Sequence, residues 1–337
     1  MKVSYRIERC LNHYDSNKWD LFVESSNNGT VFHRQDFLSY HPLDRFRRDD
    51  KMIYRNDKLV GVLPLSYERS STGKIGYSPY GSSYGGLVTR TLSSQEIYST
   101  WEFLLNELRK QDYKIINLVP TPLCYCKVYN INIEYFLLKM VKYKLVDRGI
   151  SSVVDIDNYR PLSRFKRNVK KSEKFGIRVI NSQDIDSFYT ILLNTISDRH
   201  HSSPTHTLEE LKYLKCKLMD NMKIFLGVWK DKPVSGVLTF ENTSPCVLAF
   251  YNCYLSDYGH LCSLYKVFDY IVQYYRGKKR WLDLGLTDRF TSSYNWGLFQ
   301  FKEGMGAQGF YRDYYLSLIH ISEPTRPLYI SYAVFCL

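Results

Sequence analysis

The stretch YRNDKLVGVLPLSYE (residues 54–68) is written a second time, in altered form, as VWKDKPVSGVLTFEN (228–242). In both, an aromatic-containing run leads into an Asp-Lys turn, and a second run rich in Val, Leu and aromatics follows. That is the pattern of two strands joined by a tight hairpin. The two pairs, Asp57-Lys58 and Asp231-Lys232, lie 231 − 57 = 174 residues apart. Repetition continues downstream. FLLNELRKQDYKIINLVPTP (103–122) and FDYIVQYYRGKKRWLDLGLTD (268–288) each predict an amphipathic helix, a basic turn and a short apolar strand. In the first of these helices Trp101, Leu104, Leu105 and Leu108 fall at i, i+3, i+4 and i+7, one face of a helical cylinder. The expected architecture is a duplicated α/β (α+β) domain with mixed, largely antiparallel sheets flanked by helices. Residues 1–150 form its first copy and 151–315 its second, with a cleft where they meet.

Composition narrows the partners. With 44% hydrophobic and 24% charged residues the 337-residue chain reads as globular. Its net charge is +12, and RFKRNVKKSEKFGIRV (164–179), with seven basic residues against Glu173, carries half of it. Such concentration favours a local anionic partner over general solubility. Phe165 and Val169 lie four apart on one side of a helix, the lysines Lys166, Lys170 and Lys174 lie on another, and Gly176 is placed to end it in the left-handed conformation. Few acids sit at i±4 to neutralise these cations, unlike an idle surface helix. The longest apolar runs, such as CVLAFYNCYL (246–255), are about half a membrane span. The N-terminus has charges throughout and no apolar core of a signal peptide, so a cytoplasmic protein without a transmembrane segment is expected.

Eight Cys without a C-x-x-C pair exclude a disulfide scaffold, and Cys124 and Cys126 read as buried thiols. His200, His201 and His206 lack a second ligand group at zinc spacing and read as a polar loop, so no metal is expected. The last stretch, LSLIHISEPTRPLYISYAVFCL (316–337), resembles a translated sequencing-library adapter. Leu316 to Arg326 match one frame of a transposon-end adapter and Ile330 to Leu337 the flow-cell end. The native sequence is expected to stop near Tyr315, with the tail artefactual.

Four segments in order resemble the FemAB-type transferases, members of the acyltransferase superfamily that includes the GNAT and BioF2-like enzymes. SRFKRNVKKSEKFGIRV is similar to their R-x-x-R-N-x-x-K-A-x-K-x-G-x-x-V stretch. SPYGSSYGGLV (78–88) resembles their first-domain glycine-rich loop, PTHTLEELKYL (204–214) a further segment, and SSYNWGLFQFKEGMGAQGFYRD (292–313) their closing F-K-x-x-F-G-A motif. The resemblance spans about residues 28 to 315 and implies two tandem GNAT-like domains. Two departures stand out. Met305 replaces the usual aromatic of the closing motif, and residues 175–225 leave no room for the coiled-coil arm of some peptidoglycan members.

The resemblance implies transfer of an acyl or aminoacyl group to an amine of a cell-envelope precursor, a peptidoglycan peptide or a nucleotide-linked amino sugar. Such transfer passes through a tetrahedral oxyanion, which needs a donor. Lys302, between aromatic residues and glycines, is the expected catalytic residue, with Phe301 holding its stem. Arg164, Lys166, Arg167 and Lys170 supply cations for a phosphorylated acceptor, and Arg199 aligns loosely with a phosphate-facing arginine of the family. Tyr80 and Tyr84 are expected to stack on a base or sugar, while Gly81, Gly85 and Gly86 let backbone approach it. The donor is aminoacyl-tRNA or acyl-CoA. LSDYGHLCSLYK (255–266) has Gly259 alone, without the Arg or Gln of the GNAT pyrophosphate motif R/Q-x-x-G-x-G/A. Two alternatives stay open: an acetyl-CoA-dependent N-acetyltransferase, and a non-catalytic nucleic-acid-binding module whose charge would run as a stripe over both domains.

Overall fold

The computed structural model describes residues 3–42, 44–91, 93–200, 203–241, 245–287 and 294–319, and within these the side chains of 198–200 are left out. The first half runs β1 (Tyr5–Arg9), α1 (His13–Ser25), α2 (Gln35–Leu38), β2 (Lys51–Arg55), β3 (Lys58–Leu63), β4 (Ser66–Ser70), β5 (Gly73–Ser78), β6 (Val88–Thr89), α3 (Ser94–Lys110), β7 (Tyr113–Leu118) and α4 (Asn132–Met140). A long strand, β8 (Lys142–Asp155), leads into the second half. There follow α5 (Ser163–Lys174), β9 (Arg178–Ser182), α6 (Ile185–His200), α7 (Leu208–Leu218), β10 (Met222–Trp229), β11 (Lys232–Glu241) and β12 (Cys246–Tyr254). The chain closes with α8 (Ser263–Tyr275), β13 (Trp281–Leu286), α9 (Trp296–Gly304) and β14 (Gln308–Leu318).

The repeated hairpins have the same backbone. Asn56 and Asp57 turn with φ of 46° and 62°, Lys230 and Asp231 with 46° and 63°, and 230 − 56 = 174. Two consecutive positive φ values suit a two-residue hairpin turn whose twist matches that of its strands. The turn thus centres one residue earlier than the Asp-Lys pairs, with Lys58 and Lys232 opening β3 and β11. The register also slips at corresponding places, between Ile53 and Tyr54 and between Gly227 and Val228, again 227 − 53 = 174. Downstream, the same parallel pairing recurs: β5 with β7 and β12 with β13. These are the only parallel strand pairs among the described residues.

The strands form two sheets among the described residues, β1-β2-β3-β6 and β4-β5-β7-β14-β8-β13-β12-β11-β10-β9. The larger sheet joins the halves. The residue-150 division falls inside β8, and β14 inserts between β8 and β7. That strand continues past Tyr315, pairing through Leu318 with Ile115 and Lys142, and Ile319 donates to the Lys114 carbonyl. Residues 320–337 lie outside the described set.

Helix stripes supply the cores. In α3, capped by the Ser93 side chain, Trp101, Leu104, Leu105 and Leu108 are all buried, as their spacing predicts. In α5 the buried positions are Phe165, Val169 and Ser172. Gly176 ends it at φ 78°, where a β-carbon would be strained. No helix among the described residues is long and apolar enough to cross a membrane.

Candidate functional site

β12 and β13 are paired only over Cys246–Leu248 and Trp281–Asp283, after which they part. At the parting, the β11–β12 register jumps from Leu238↔Tyr251 to Thr239↔Ala249, leaving Phe250 as an extra, bulged residue that bends the strand. The gap opens into a cavity of about 910 Å³, walled by β12 residues 248–252, Leu284 to Leu286 of β13, the start of α8 and one face of α9. A second cavity of about 600 Å³ lies on the first-half side, lined by Tyr40, His41, Arg45, Asn117, His206 and Tyr314 among others. The two share Ser83, Phe250, Tyr251 and Arg312, so they meet at a neck. Among the described residues, neither is lined by an Asp or Glu. Arg45, Arg312 and Lys302 therefore set a positive potential, which favours anionic ligands.

Lys302 sits on the wall of the larger cavity, only 4% exposed. The Asn295 side chain caps α9 by accepting from the Leu298 amide at 3.0 Å, and Phe301 packs on Tyr265, Phe268 and Phe165. This places the Lys302 ammonium at the end of β13. There it donates to the carbonyls of Gly285 (2.7 Å) and Leu286 (2.8 Å) and to Thr287 Oγ1 (3.1 Å). An ammonium has three donors, so its hydrogen-bonding capacity is filled by the protein and its charge is fixed in the wall.

The remaining expected residues separate. Arg164, Lys166, Arg167 and Lys170 are exposed on α5, whose Asn168 lines the larger cavity. Arg164, at i−4, shares the Asn168 face; Arg167 lies a quarter-turn away, while Lys166 and Lys170 project from the opposite side. The Arg199 side chain lies outside the described residues. Tyr84 is fully buried and lines neither cavity; its hydroxyl donates to Asp283 at 3.0 Å. Tyr80, 2% exposed, donates to both carboxylate oxygens of Asp50 at 2.8 Å. Both hydroxyls are held by buried carboxylates, and Tyr80 also lines a third cavity of about 600 Å³ beside Arg45, Phe46 and Arg47. Gly81 does reach the first-half cavity, at φ 57°, and a β-carbon there would strike the His41 ring at 2.0 Å.

Sequence reasoning passed over four residues. His41 Nε2 donates to the Gly81 carbonyl at 3.0 Å, which leaves Nδ1 unprotonated, buried and without a partner among the described residues. Burial lowers its pKa to about 4, so the ring is neutral near pH 7. Tyr40 stacks between His41 (3.9 Å) and His206 (5.2 Å), and burial likewise lowers the His206 pKa. Asp283, fully buried, accepts from Tyr84, Tyr125, Ser151 and the Gly285 amide at 2.8–3.0 Å, tying loops of the first half to β8 and β13. Arg312 lies in the neck. The YRD triplet at the end of the closing motif held its only signal. Cys124 and Cys126 are buried free thiols whose pKa values burial raises, to about 12 for Cys126.

The sequence matches no family model and no curated protein. Solved structures do match. Over 92% of this chain and 96% of the other, it superposes on FemX with a TM-score of 0.68 at 13% identity. The C-terminal domain of a putative lysylphosphatidylglycerol synthetase from Agrobacterium fabrum gives 0.60 at 9% identity, covering 92% of this chain and 93% of that one. A tandem GNAT protein from the clavulanic acid biosynthesis pathway gives 0.51 at 10%, covering 96% of this chain and all of the other (100%). The chain has the mixed, mostly antiparallel α/β fold of FemX and of tandem GNAT proteins.

Proposed function

We propose that the protein is an N-acyltransferase that moves an acyl or aminoacyl group onto an amine of an anionic cell-envelope precursor. The observation that carries this reading is the pair of cavities, without lining carboxylates among the described residues, that meet at a neck on a FemX-like fold. The donor enters the cavity between β12 and β13, and the acceptor enters from the first-half side. The amine nitrogen attacks the donor carbonyl, and a C–N bond forms. The resulting oxyanion collapses, breaking the C–O bond of an aminoacyl-tRNA or the C–S bond of an acyl-CoA. The leaving alcohol or thiol takes the proton the amine gives up. The fixed charge of Lys302 lowers the energy of the oxyanion through space, in a site screened from water by Phe301.

Arg164 and Arg167, exposed and without ion-pair partners among the described residues, receive a phosphate of the acceptor at the cavity mouth. A peptidoglycan peptide and a nucleotide-linked amino sugar both fit this chemistry, and both are built in the cytoplasm. Aminoacyl-tRNA is favoured as donor, because the α8 entry keeps Gly259 but lacks the GNAT pyrophosphate motif. Incubation with labelled aminoacyl-tRNA or acetyl-CoA and a precursor extract, read by mass spectrometry, tests the reading. Amide formation from one donor supports it; no product from either would refute it.

A further inference from the structure

Arg312 belongs to β14, opposite Gly149 of β8, and its side chain lines both cavities where they join. Its Nη2 donates to the Ser83 carbonyl at 2.8 Å, and the guanidinium lies 4.5 Å from the centre of the Tyr84 ring. Its Nε is buried and has no hydrogen-bond partner among the described residues. Among the described residues no carboxylate forms an ion pair with it. The buried Asp283 carboxylate acts on Arg312 through space without an ion pair, and both its oxygens are already taken by four donors. On the neighbouring position of the strand, Asp313 pairs with Arg148 at 2.6 Å. Arg312 is thus a partly buried cation on the wall of both cavities with no ion pair among the described residues, and a ligand carboxylate can supply the direct contact that the chain does not.

We propose that the neck is a carboxylate-binding site in which Arg312 holds a carboxylate of the acceptor close to its reacting amine. The planar fork of a guanidinium matches a carboxylate with two parallel N–H···O bonds. One positive charge faces the neck, balanced by one negative charge. The other shared residues are Ser83, Phe250 and Tyr251, which supply no further cation for a phosphate dianion. An amine with a carboxylate a few bonds away is an amino acid or the end of a peptide. This assignment rests on the transferase reading for its word "acceptor", but the binding site itself does not.

The dipeptide Ala-Lys and its C-terminal amide differ only at that carboxylate. Titrated calorimetrically against the full chain, the acid is expected to bind about 10–100-fold more tightly, the scale of a charge-assisted pair. Arg312→Gln should erase the difference and Arg312→Lys keep part of it, with thermal melts confirming that both variants fold. Equal affinities for acid and amide in the unmodified protein would overturn the proposal without any variant. So would an acid preference that survives Arg312→Gln, or displacement of the acid by inorganic phosphate at lower concentration than by acetate. Transfer assays run on the same samples separate the two ideas. Selective acid binding without acyl transfer keeps the site and removes the transferase reading. Transfer indifferent to the acceptor carboxylate and to Arg312 does the reverse.

Discussion

Replacing Lys302 by Met tests structure and chemistry together. The methionine fills a similar volume but removes three donors from Gly285 O, Leu286 O and Thr287 Oγ1. Two buried carbonyls lose a charged partner, and a hydrogen bond to a charged group is worth about 1.5–3 kcal/mol. Some water will enter from the cavity, so a net loss of roughly 2–4 kcal/mol is expected from urea unfolding. The catalytic effect is separable. If the fixed charge acts on the oxyanion, kcat and kcat/KM fall together by about 10²–10³ while KM barely moves. Kinetics must be recorded where the variant is fully folded by circular dichroism. Thr287→Val removes only one acceptor and leaves the charge, so it should cost stability modestly and spare kcat. A folded Lys302→Met with unchanged kcat would refute the electrostatic role and leave Lys302 as a fastener of the β13 end.

Asp283→Ala should destabilise by about 3–5 kcal/mol, because it strands the Gly285 amide and three hydroxyl donors in the core. Asp283→Asn should cost less, since Tyr84 and Tyr125 can rotate their hydroxyls to accept, and a larger loss for Asn than Ala in urea titrations would contradict this network. Charge reversal at Arg164 and Arg167 should raise KM for a phosphorylated acceptor without moving Tm, as both are exposed; unchanged kinetics would leave α5 a solvated face. His33 and His41, each lowered by burial from 6.5 to about 4, should stay neutral in the fold while the unfolded chain protonates. Their contribution, up to roughly 3 kcal/mol each, is present above pH 6.5 and lost as pH falls towards 4. NMR titration of the imidazoles checks the direction, and a normal His41 pKa near 6.5 would refute it.

What the sequence determined by itself is local and periodic. The paired hairpins, the α3 stripe from Trp101 to Leu108 and the Gly176 end of α5 follow from spacings within a few residues, where turn chemistry and burial of one face act directly. The tandem α/β architecture follows from their repetition, and Lys302 and Phe301 were legible at the cavity because the closing motif is contiguous. Tertiary structure decided how the polar groups were used. Tyr84 looked available to a ligand until Asp283, 199 residues away, took its hydroxyl. Lys302 looked like a free donor until the parting of β13 from β12 placed three acceptors around it. His206, within a polar loop by sequence, and Arg312, one cation among 46 Lys and Arg, came to line the cavities only when β12 and β14 brought the two together. Hydrogen-bond occupancy depends on partners distant along the chain, and no local pattern records them.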